Sequence, residues 1–257
     1  MTSPAAHLGS LAADLAIALS FYTRLPLRHD KPIGGSDVAR ASWAAPVAGA
    51  LIGCCGAPVY WVAHAAGLPP LIGAALTLAT TAMLTGCLHE DGLADTADGL
   101  GGGASRERKL EIMRDSRIGT YGVCALTLSL VVRAGALAAL AEPMLVAPAL
   151  IAAHAAARAA LPAFMRAVPP ARRDGLAAQA GAPPLIGALA AAVIGAAGLV
   201  LGLGPARAIV ALLLACAAMG LVAWLCVKQI GGQTGDVLGA VEQANEIAVL
   251  IAALARA

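Results

Sequence analysis

The sequence predicts an all-α fold, a polytopic integral membrane bundle of about six to seven transmembrane helices with a cytoplasmic active-site loop. Of the 257 residues, 60% are hydrophobic and only 12% are charged, whereas a soluble domain carries about 25% charged residues. Three long stretches hold no formal charge, and they cover residues 41–89, 175–206 and 208–227. These stretches are continuous and lack the alternation of membrane β-strands. The composition therefore excludes a soluble enzyme, a DNA-binding protein and a β-barrel.

Six membrane spans follow from the apolar stretches, since each span needs about 20 apolar residues. We predict them at residues 44–66, 69–88, 121–140, 144–163, 185–204 and 208–227. An amphipathic or partly inserted helix is expected over 7–22, and the apolar segment 246–256 is expected to dip part-way into the membrane. The whole chain, residues 1–257, is interpreted as one membrane-embedded domain.

The predicted spans are rich in small residues and contain few charges. Two glycine pairs in G-x-x-x-G spacing predict close packing between helices, and they are Gly49 with Gly53 and Gly198 with Gly202. Two arginines, Arg133 and Arg158, lie within or near spans. A charge at such a position faces the bundle interior and is often functional, and the alternative for Arg158, near a cytoplasmic end, is that its side chain snorkels to the membrane surface.

The Lys and Arg residues are distributed unequally between the two sides of these spans. Thirteen of the seventeen lie in four segments that six spans would place on one side, and these are 22–40, 89–120, 164–180 and 228–245. The three opposite turns contain only Arg207. Because basic residues are enriched in cytoplasmic loops, we expect the long polar segments to face the cytoplasm. The net charge of +2 gives no case for a nucleic-acid partner, and the lipid bilayer is the expected surrounding.

Acidic residues are concentrated directly after the second predicted span. Seven of the fifteen lie between positions 90 and 115, and Asp91, Asp95 and Asp98 are spaced i, i+4 and i+7. On a helix these three carboxylates share one face, where they repel one another unless a cation neutralises them. Hard oxygen ligands suit Mg²⁺, which binds through a few carboxylates, waters and substrate phosphates. The pattern predicts a site for one or two Mg²⁺ ions, and the alternative is a solvated acidic loop.

A glycine-rich stretch and a basic stretch follow the aspartates. Four of the five residues 99–103 are glycine, which predicts a flexible joint where the backbone can approach a ligand. Asp115 and Ser116 are expected to cap the third span, and an exposed helix N-terminus beside Arg117 would bind phosphate. Metal-binding acids close to phosphate-binding bases point to a diphosphate or nucleotide substrate.

A third polar cluster lies in the last of the four basic segments. It runs from Lys228 to Gly239 and contains Thr234, Gly235 and Asp236. Such a sequence suits a backbone nest for phosphate or for a metal-bound water, although a glycine-rich turn between helices has the same composition. Its position on the same face as the aspartates favours a role in the site.

Four stretches of the chain carry a likeness to a known family. They are Phe21-x-Thr23-Arg24-Leu25-Pro26, His89-x-Asp91-Gly92-Leu93-Ala94-Asp95-x-x-Asp98-Gly99, Leu110-Glu111-Ile112-Met113-Arg114-Asp115-Ser116-Arg117-x-Gly119-Thr120 and Gly231-Gly232-Gln233-Thr234-Gly235-Asp236-x-Leu238-Gly239-Ala240. Together they resemble the cobalamin synthase family, also called adenosylcobinamide-GDP ribazoletransferases. The likeness runs through nearly the whole chain in the family's order.

The resemblance implies a transferase that completes the nucleotide loop of adenosylcobalamin at the bacterial cell inner membrane. A ribose hydroxyl of α-ribazole, or of α-ribazole 5′-phosphate, attacks the phosphate on the aminopropanol arm of adenosylcobinamide-GDP, and GMP leaves. Mg²⁺ is the implied cofactor. Charge stabilisation and positioning then supply most of the catalysis.

The resemblance also gives the site residues their expected roles. Asp91, Asp95 and Asp98 are expected to hold Mg²⁺, with His89, Asp91 and Asp95 as the catalytic residues. His89 is a candidate base for the ribose hydroxyl, or else a partner of the metal ligands. The residues expected to bind substrate and phosphate are Lys109, Arg114, Ser116, Arg117, Thr234, Gly235 and Asp236. Glu90 fills a position that need not be acidic in the family, so it ranks below the aspartates.

Two other classes of protein remain open on the sequence alone. A membrane transferase of the CDP-alcohol or prenyl type also needs Mg²⁺ and aspartates at a membrane edge. The CDP-alcohol pattern, however, requires Ala-Arg after the first Asp-Gly, where this chain has Leu93-Ala94. A transporter would need polar residues spread through the spans, and 44–66 and 185–204 are almost bare of them. The sequence leaves the oligomeric state open.

Overall fold

The computed structural model describes residues 4–29 and 31–255, and within these residues the chain is helical without a β-strand. The helices are α1 (Pro4–Tyr22), α2 (Gly35–Arg40), α3 (Ala45–Ala65), α4 (Pro70–Thr85), α5 (Leu88–Gly102), α6 (Arg106–Ile112), α7 (Thr120–Leu140), α8 (Pro143–Ala167), α9 (Leu176–Ala180), α10 (Leu185–Leu203), α11 (Pro205–Ile230) and α12 (Gly235–Ala253). A short 3-10 turn, Ala41–Ala44, joins α2 to α3. The predicted all-α fold is confirmed.

Five helical stretches in the described part of the chain are long and apolar enough to cross a membrane. They are Gly35–Ala65, Thr120–Leu140, Pro143–Ala167, Leu185–Leu203 and Pro205–Ile230. Helices α4 and α5 meet the same criterion together, although the chain bends by 91° between them. Large apolar side chains cover the outside of the bundle, such as Ile186 at 82% and Leu201 at 86% exposure. Because extensive exposed apolar surface of this kind suits contact with lipid, the chain is a multi-pass membrane protein.

The second predicted span, 69–88, is interrupted near its end. Gly86 and Cys87 both adopt left-handed backbone conformations, with φ of 65° and 59°, and this ends α4 and turns the chain into α5. The backbone N–H of Arg24 donates a hydrogen bond to the carbonyl oxygen of Leu84 at 2.7 Å. The segment after α1 therefore fastens the break between α4 and α5, which gives the opening motif of the chain a structural role.

The segment between the second and third spans is expected to be an active-site loop. In the structure most of this segment is helical, which corrects the expectation. Helix α5 carries the three motif aspartates, and Gly99 to Gly102 form its last turn instead of a flexible joint. A Cβ at Gly101 would lie 2.7 Å from the ring of Tyr121, and one at Gly99 would overlap the side chain of Met113. These glycines let α5 pack closely against its neighbours in the chain.

The bundle has an apolar core at each of its two ends. One core joins the ends of α1, α8 and α11 to the starts of α3 and α12, through residues such as Tyr22, Phe164 and Val237. The other joins the opposite ends of α3, α8, α11 and α12 to parts of α4, α7 and α10, through residues such as Tyr60 and Leu199. All four basic segments leave the bundle at the first end, as six alternating spans require. We call this the motif end, because the sequence motifs meet there.

Helix α12 runs through the middle of the bundle and corrects the expectation for 246–256. It begins at Gly235 at the motif end, and at the opposite end the Nε of Arg207 donates to the carbonyl oxygen of Ala255 at 2.9 Å. Thirteen of its nineteen residues are buried. Residues 246–253 do not form a separate tail that dips into the membrane, because they are the second half of a helix packed against α5, α8 and α11, and Arg256 lies outside the described residues. A hydropathy pattern does not predict this helix as a span, because it contains four buried polar residues, and they are Glu242, Gln243, Asn245 and Glu246.

The first G-x-x-x-G pair lets α3 pack directly on α8, as predicted. A Cβ at Gly53 would lie 2.6 Å from the Cα of Ile151. One at Gly49 would overlap the backbone of His154. Because any side chain would separate the two helices, the glycines set the distance between α3 and α8.

The second pair is confirmed in one of its two positions. In α10, a Cβ at Gly202 would lie 2.7 Å from the carbonyl oxygen of Pro148 on α8. Gly198 has room for a Cβ, whose nearest neighbour would be the Cβ of Ala155 at 3.8 Å. Close packing at the second pair therefore depends on Gly202.

We predict that Gly53→Ala destabilises the bundle, whereas Gly220→Ala does not. A methyl group at Gly53 must push α3 away from α8, and overpacking of this kind costs about 1–3 kcal/mol. A Cβ at Gly220 meets nothing within 4 Å. Thermal unfolding in detergent measures the difference, and equal midpoints for the two variants would contradict the role of Gly53.

Candidate active site

Helices α5 and α12 cross in backbone contact at the motif end. A Cβ on Gly92 would lie 2.7 Å from the carbonyl oxygen of Asp236 and 3.0 Å from the Cα of Gly239. A Cβ on Gly239 would lie 3.0 Å from the Cα of Gly92. Only glycine on both helices permits this approach. The crossing brings Asp91, the neighbour of Gly92, close to Asp236 from the far end of the chain.

Asp91, Asp95 and Asp236 form a cluster that we call the acidic group. Asp95 is half-buried and interacts electrostatically with Asp91, with Asp236 and, more weakly, with Asp98. Asp236 accepts a hydrogen bond from Nη2 of Arg172 at 3.2 Å. Among the described contacts neither Asp91 nor Asp95 has an ion-pair partner, so the group attracts a further cation. Carboxylate oxygens are the ligands that Mg²⁺ prefers, and this donor set therefore fits a magnesium ion.

Asp98 has a different position from that of a free metal ligand. Its carboxylate is buried and accepts backbone N–H groups on both oxygens, from Gly119 at 2.6 Å and from Gly122 at 2.9 Å. Glycine at these two positions leaves room for the carboxylate, which a Cβ would overlap. Asp98 therefore caps the N-terminus of α7, where a negative charge is favourable. This corrects the expected cap, because Asp115 and Ser116 do not provide it and Gly119 is the N-cap residue.

The glycine-rich turn before α12 pairs with the segment that follows α8. The N–H of Gln233 donates to the carbonyl of Pro169, and the N–H of Ala171 donates to the carbonyl of Gln233, both at 2.8 Å. Gly231 and Gly232 have φ of 82° and 157°, which favours glycine at both positions. The expected phosphate nest is thus a backbone junction, and it holds the residue after Ala171 beside α12.

Arg172, which sequence reasoning missed, is the arginine that this junction presents to Asp236. Its only sequence signal was membership of a basic segment. Arg114 comes near the same place from the turn after α6, since it pairs with Asp174 and interacts electrostatically with Asp236. Thr234 caps α12 by accepting from the N–H of Val237, and its hydroxyl donates to Asp236 at 3.1 Å. The acidic group therefore has two guanidiniums on one side.

Three predicted phosphate-binding residues have other surroundings. The Nζ of Lys109 donates to the carbonyl of Leu100 and ties α6 to the end of α5. Ser116 is exposed. Arg117 is 87% exposed in its side chain and pairs with Asp115, whose pKa its hydrogen bonds lower to about 2. The structure does not bring these three side chains to the acidic group.

His89 lies inside the bundle, beneath the acidic group. Its Nδ1 is 3.2 Å from Nη2 of Arg158, and its ring stacks on Tyr22 with centroids 5.8 Å apart. A guanidinium only donates hydrogen bonds, so Nδ1 is the acceptor and a neutral His89 carries its proton on Nε2. This arrangement does not fit the expected role as the base for the ribose hydroxyl.

His89 belongs to a buried ionic network that joins α5, α7, α8 and α12. Arg158 pairs with Glu242 at 2.6 Å, and Arg133 pairs with Glu246 at 3.2 Å and with Glu90 at 3.3 Å. The side chains of both arginines are at most 2% exposed. Further members are His154, which lies 3.2 Å from Glu246, and Gln243, which donates to Glu90 and Glu242. The network confirms that the two intramembrane arginines face the interior, and it explains why the position of Glu90 is acidic here.

Two of the cavities beside the acidic group share part of their walls. The first has a volume of about 240 Å³ and a mostly apolar lining, with Asp91 and Asp236 at its polar side. The second, of about 190 Å³, is lined by polar residues such as Arg172 and Gln233. Gly235 and Asp236 line both cavities. The start of α12 thus separates an apolar cavity from a polar one.

We predict that Asp98→Asn weakens the start of α7. An amide has one oxygen and one NH₂ group, so one of the two backbone N–H donors would face a donor, and this costs about 1–3 kcal/mol. Hydrogen exchange at residues 119–123 should become faster and the thermal midpoint in detergent should fall. Asp115→Asn, an exposed acid close by, is the matched control. Unchanged exchange in Asp98→Asn would contradict the capping role.

The buried Arg158–Glu242 pair predicts a non-additive effect of its two substitutions. Arg158→Leu or Glu242→Leu alone leaves one buried charge without its partner, which costs about 3–5 kcal/mol. The double variant removes both charges, so its unfolding midpoint should lie well above the value expected from adding the two losses. Arg173→Leu, an exposed arginine at the motif end, should behave as wild type. Strict additivity would contradict the pairing.

Comparison with known proteins extends over almost the whole chain. A family model described as cobalamin-5-phosphate synthase matches residues 14–254. A relative from Bradyrhizobium diazoefficiens, named adenosylcobinamide-GDP ribazoletransferase, is 59% identical over 246 residues, which cover 96% of this chain and 95% of that protein. Relatives of the same name from Mesorhizobium japonicum and Azorhizobium caulinodans are 55% and 47% identical, over 93% and 95% of this chain and 92% and 96% of their own lengths. No solved structure matches the chain.

These matches separate the classes that the sequence left open. The relatives are transferases by name and align from end to end with this chain, so the chain is an enzyme and not a transporter. The expected resemblance is confirmed over nearly its full length. The chain belongs to the cobalamin-5-phosphate synthase family.

Proposed function

We propose that this enzyme transfers adenosylcobinamide phosphate from adenosylcobinamide-GDP to α-ribazole or α-ribazole 5′-phosphate, releasing GMP. The observation that carries the proposal is the meeting of Asp91, Asp95 and Asp236 at the crossing of α5 and α12, with Arg172 beside them. A diphosphate donor needs both a cation site and positive side chains. The names of the relatives supply the donor and the acceptor.

Asp91, Asp95 and Asp236 are the residues that would hold Mg²⁺. This set replaces the expected Asp91, Asp95 and Asp98, because both oxygens of Asp98 accept N–H groups of the α7 N-terminus. When bound, Mg²⁺ would neutralise the diphosphate and the charge that develops on its leaving oxygen. The acidic group has an excess of negative charge even with Arg172 present, which supports a divalent ion there.

The surrounding residues orient the substrates. Arg172 and Arg114 would neutralise phosphate oxygens on the side of the polar cavity. The N-terminus of α12, capped by Thr234, adds backbone N–H groups that favour an anion. Asp91 lines the apolar cavity, so its carboxylate is placed to accept the proton of an attacking ribose hydroxyl. His89, which also lines the apolar cavity, and Arg158 would keep α5 in position.

We also propose that the motif end faces the cytoplasm of a bacterial cell inner membrane. Thirteen of the seventeen Lys and Arg residues lie in the segments that leave the bundle there. Because basic segments of membrane proteins stay on the cytoplasmic side, the motif end would face the cytoplasm. Both nucleotide substrates would then reach the site from the cytoplasm.

The proposal is tested by measuring GMP release from adenosylcobinamide-GDP and α-ribazole with purified protein in detergent. Asp91→Asn, Asp95→Asn and Asp236→Asn should each lower turnover about 100-fold or more, because transition-state charge is stabilised less. The three variants should also require more Mg²⁺, and chelation of Mg²⁺ should abolish turnover of the wild type.

Asp115→Asn is the matched control, since Asp115 is an acid at the same end of the bundle that pairs only with Arg117 among its described contacts. It should retain turnover near that of the wild type. Undiminished Mg²⁺-dependent turnover in all three variants would reject the metal assignment. Activity with a CDP-alcohol in place of the corrinoid donor would reject the proposed substrate.

A further inference from the structure

The apolar cavity beside the acidic group is built differently from a site for phosphate or for a purine. It lies between the ends of α1 and α8 and the starts of α5 and α12. Its wall contains large apolar side chains, and these include Phe21, Leu161, Met165 and Leu238. The polar side chains Asp91 and Asp236 lie in the same lining and belong to the acidic group. A ligand in this cavity therefore has an apolar part and reaches the acidic group with a polar part.

The size of the cavity limits what its occupant can be. A volume of about 240 Å³ is below the range of about 300–1,000 Å³ that is typical for drug-sized ligands. A fused two-ring system fits this space, whereas a corrin macrocycle does not. The corrinoid part of the donor must consequently remain outside the cavity.

The aromatic residues at one side of the cavity favour a flat ring. Phe21 packs edge-on against Tyr22 with centroids 4.8 Å apart, and Tyr22 stacks on His89 at an interplanar angle of 29°. Aromatic rings arranged in this way extend readily to a further ring. Met165 lies in the same wall, and its thioether adapts to aromatic partners of different outline.

The chemistry of the lining separates the two nucleosides of the proposed reaction. Guanine carries several N–H and C=O groups, which would lose their hydrogen bonds to water against Phe21, Leu161 and Met165. The bicyclic benzimidazole base of ribazole has no N–H or C=O on its ring edge once it is joined to ribose. Its burial in an apolar cavity therefore carries no such penalty. The second cavity, with Arg172 and Gln233 in its wall, suits the charged parts of the substrates.

We propose that the apolar cavity binds the benzimidazole base of the acceptor, and that Phe21 and Met165 determine which bases are accepted. This inference rests on the proposed function for the identity of the acceptor. A base in the cavity places its ribose at the side where Asp91 and Asp236 lie, next to the polar cavity. The hydroxyl that attacks the donor then lies at the acidic group.

Equilibrium binding of α-ribazole to the full-length protein, without donor, tests the inference separately from turnover. Met165→Gln puts an amide into the cavity and should raise the Kd for α-ribazole about tenfold or more. This effect is at least as large as that of one methylene group in an apolar pocket. Phe21→Ala should raise it by a similar factor. Met165→Leu, which keeps the volume and the apolar character, should bind with a Kd close to that of the wild type. Met144→Gln is the matched control, since Met144 lies on the same helix, is 78% exposed and is near the opposite end.

Steady-state kinetics give a second measurement. The KM for the acceptor should rise in Met165→Gln, with the KM for adenosylcobinamide-GDP changing less than about twofold. A further check uses the wild type with a second ligand. An α-riboside of adenine should bind to it about tenfold or more weakly than the α-riboside of benzimidazole.

Four outcomes would overturn the inference. Wild-type binding of α-ribazole in both Met165→Gln and Phe21→Ala would leave the proposed function intact but remove the cavity from acceptor binding. A rise confined to the KM for the donor would assign the cavity to the corrinoid substrate. Retention of a phospholipid by the wild type and its loss from Met165→Gln, seen by native mass spectrometry, would assign the cavity to lipid. Failure of the wild type to bind α-ribazole at all would reject the acceptor, and with it both proposals.

Discussion

The arrangement of the site depends on a network of charges buried in the centre of the bundle. Arg133 and Arg158 are almost inaccessible and contact carboxylates on α12 and α5. A charge inside a membrane bundle is costly unless it is paired, and removing one partner costs more than the pair contributes. The four helices that share the network can therefore slide past one another only by breaking ion pairs. This fixes the level at which α5 and α12 meet.

The glycine crossing converts that fixed level into a site. Contact between Gly92 and Gly239 leaves no room for a Cβ between the two helix backbones, and the aspartates beside them gather on one side. Repulsion among Asp91, Asp95 and Asp236 opposes this arrangement, and the network below holds it in place. A cation bound among these carboxylates would relieve the repulsion. The buried ion pairs thus hold the acidic group in position. The enzyme would use the unbalanced negative charge of this group to bind Mg²⁺ and a diphosphate.

The two parts of the site, around Asp91 and around Asp236, lie far apart in the sequence. Backbone pairing and helix capping hold them together. Backbone pairing between Gln233 and the segment 169–171 places Arg172 next to Asp236. Capping of α7 by Asp98 connects α5 to the next span. Each of these contacts uses a residue from one of the four motifs, namely Gln233, Asp236 or Asp98. The motif residues therefore hold helices and loops together as well as supply ligands. Membership of a motif does not by itself make a residue a metal ligand.

The sequence by itself determined the membrane bundle, five of the six spans, the family and the presence of Asp91, Asp95 and Asp236 in motifs. These features depend on hydropathy, local spacing and likeness to relatives, all of which are written along the chain. Only the tertiary structure decided that α12 crosses the bundle, that Asp98 caps α7, and that Arg172 reaches the acidic group while Lys109 and Arg117 do not. The reason is that the partner of a side chain is set by which helices cross and at what level. That level depends on long-range pairs such as Arg158 with Glu242, which no local pattern records.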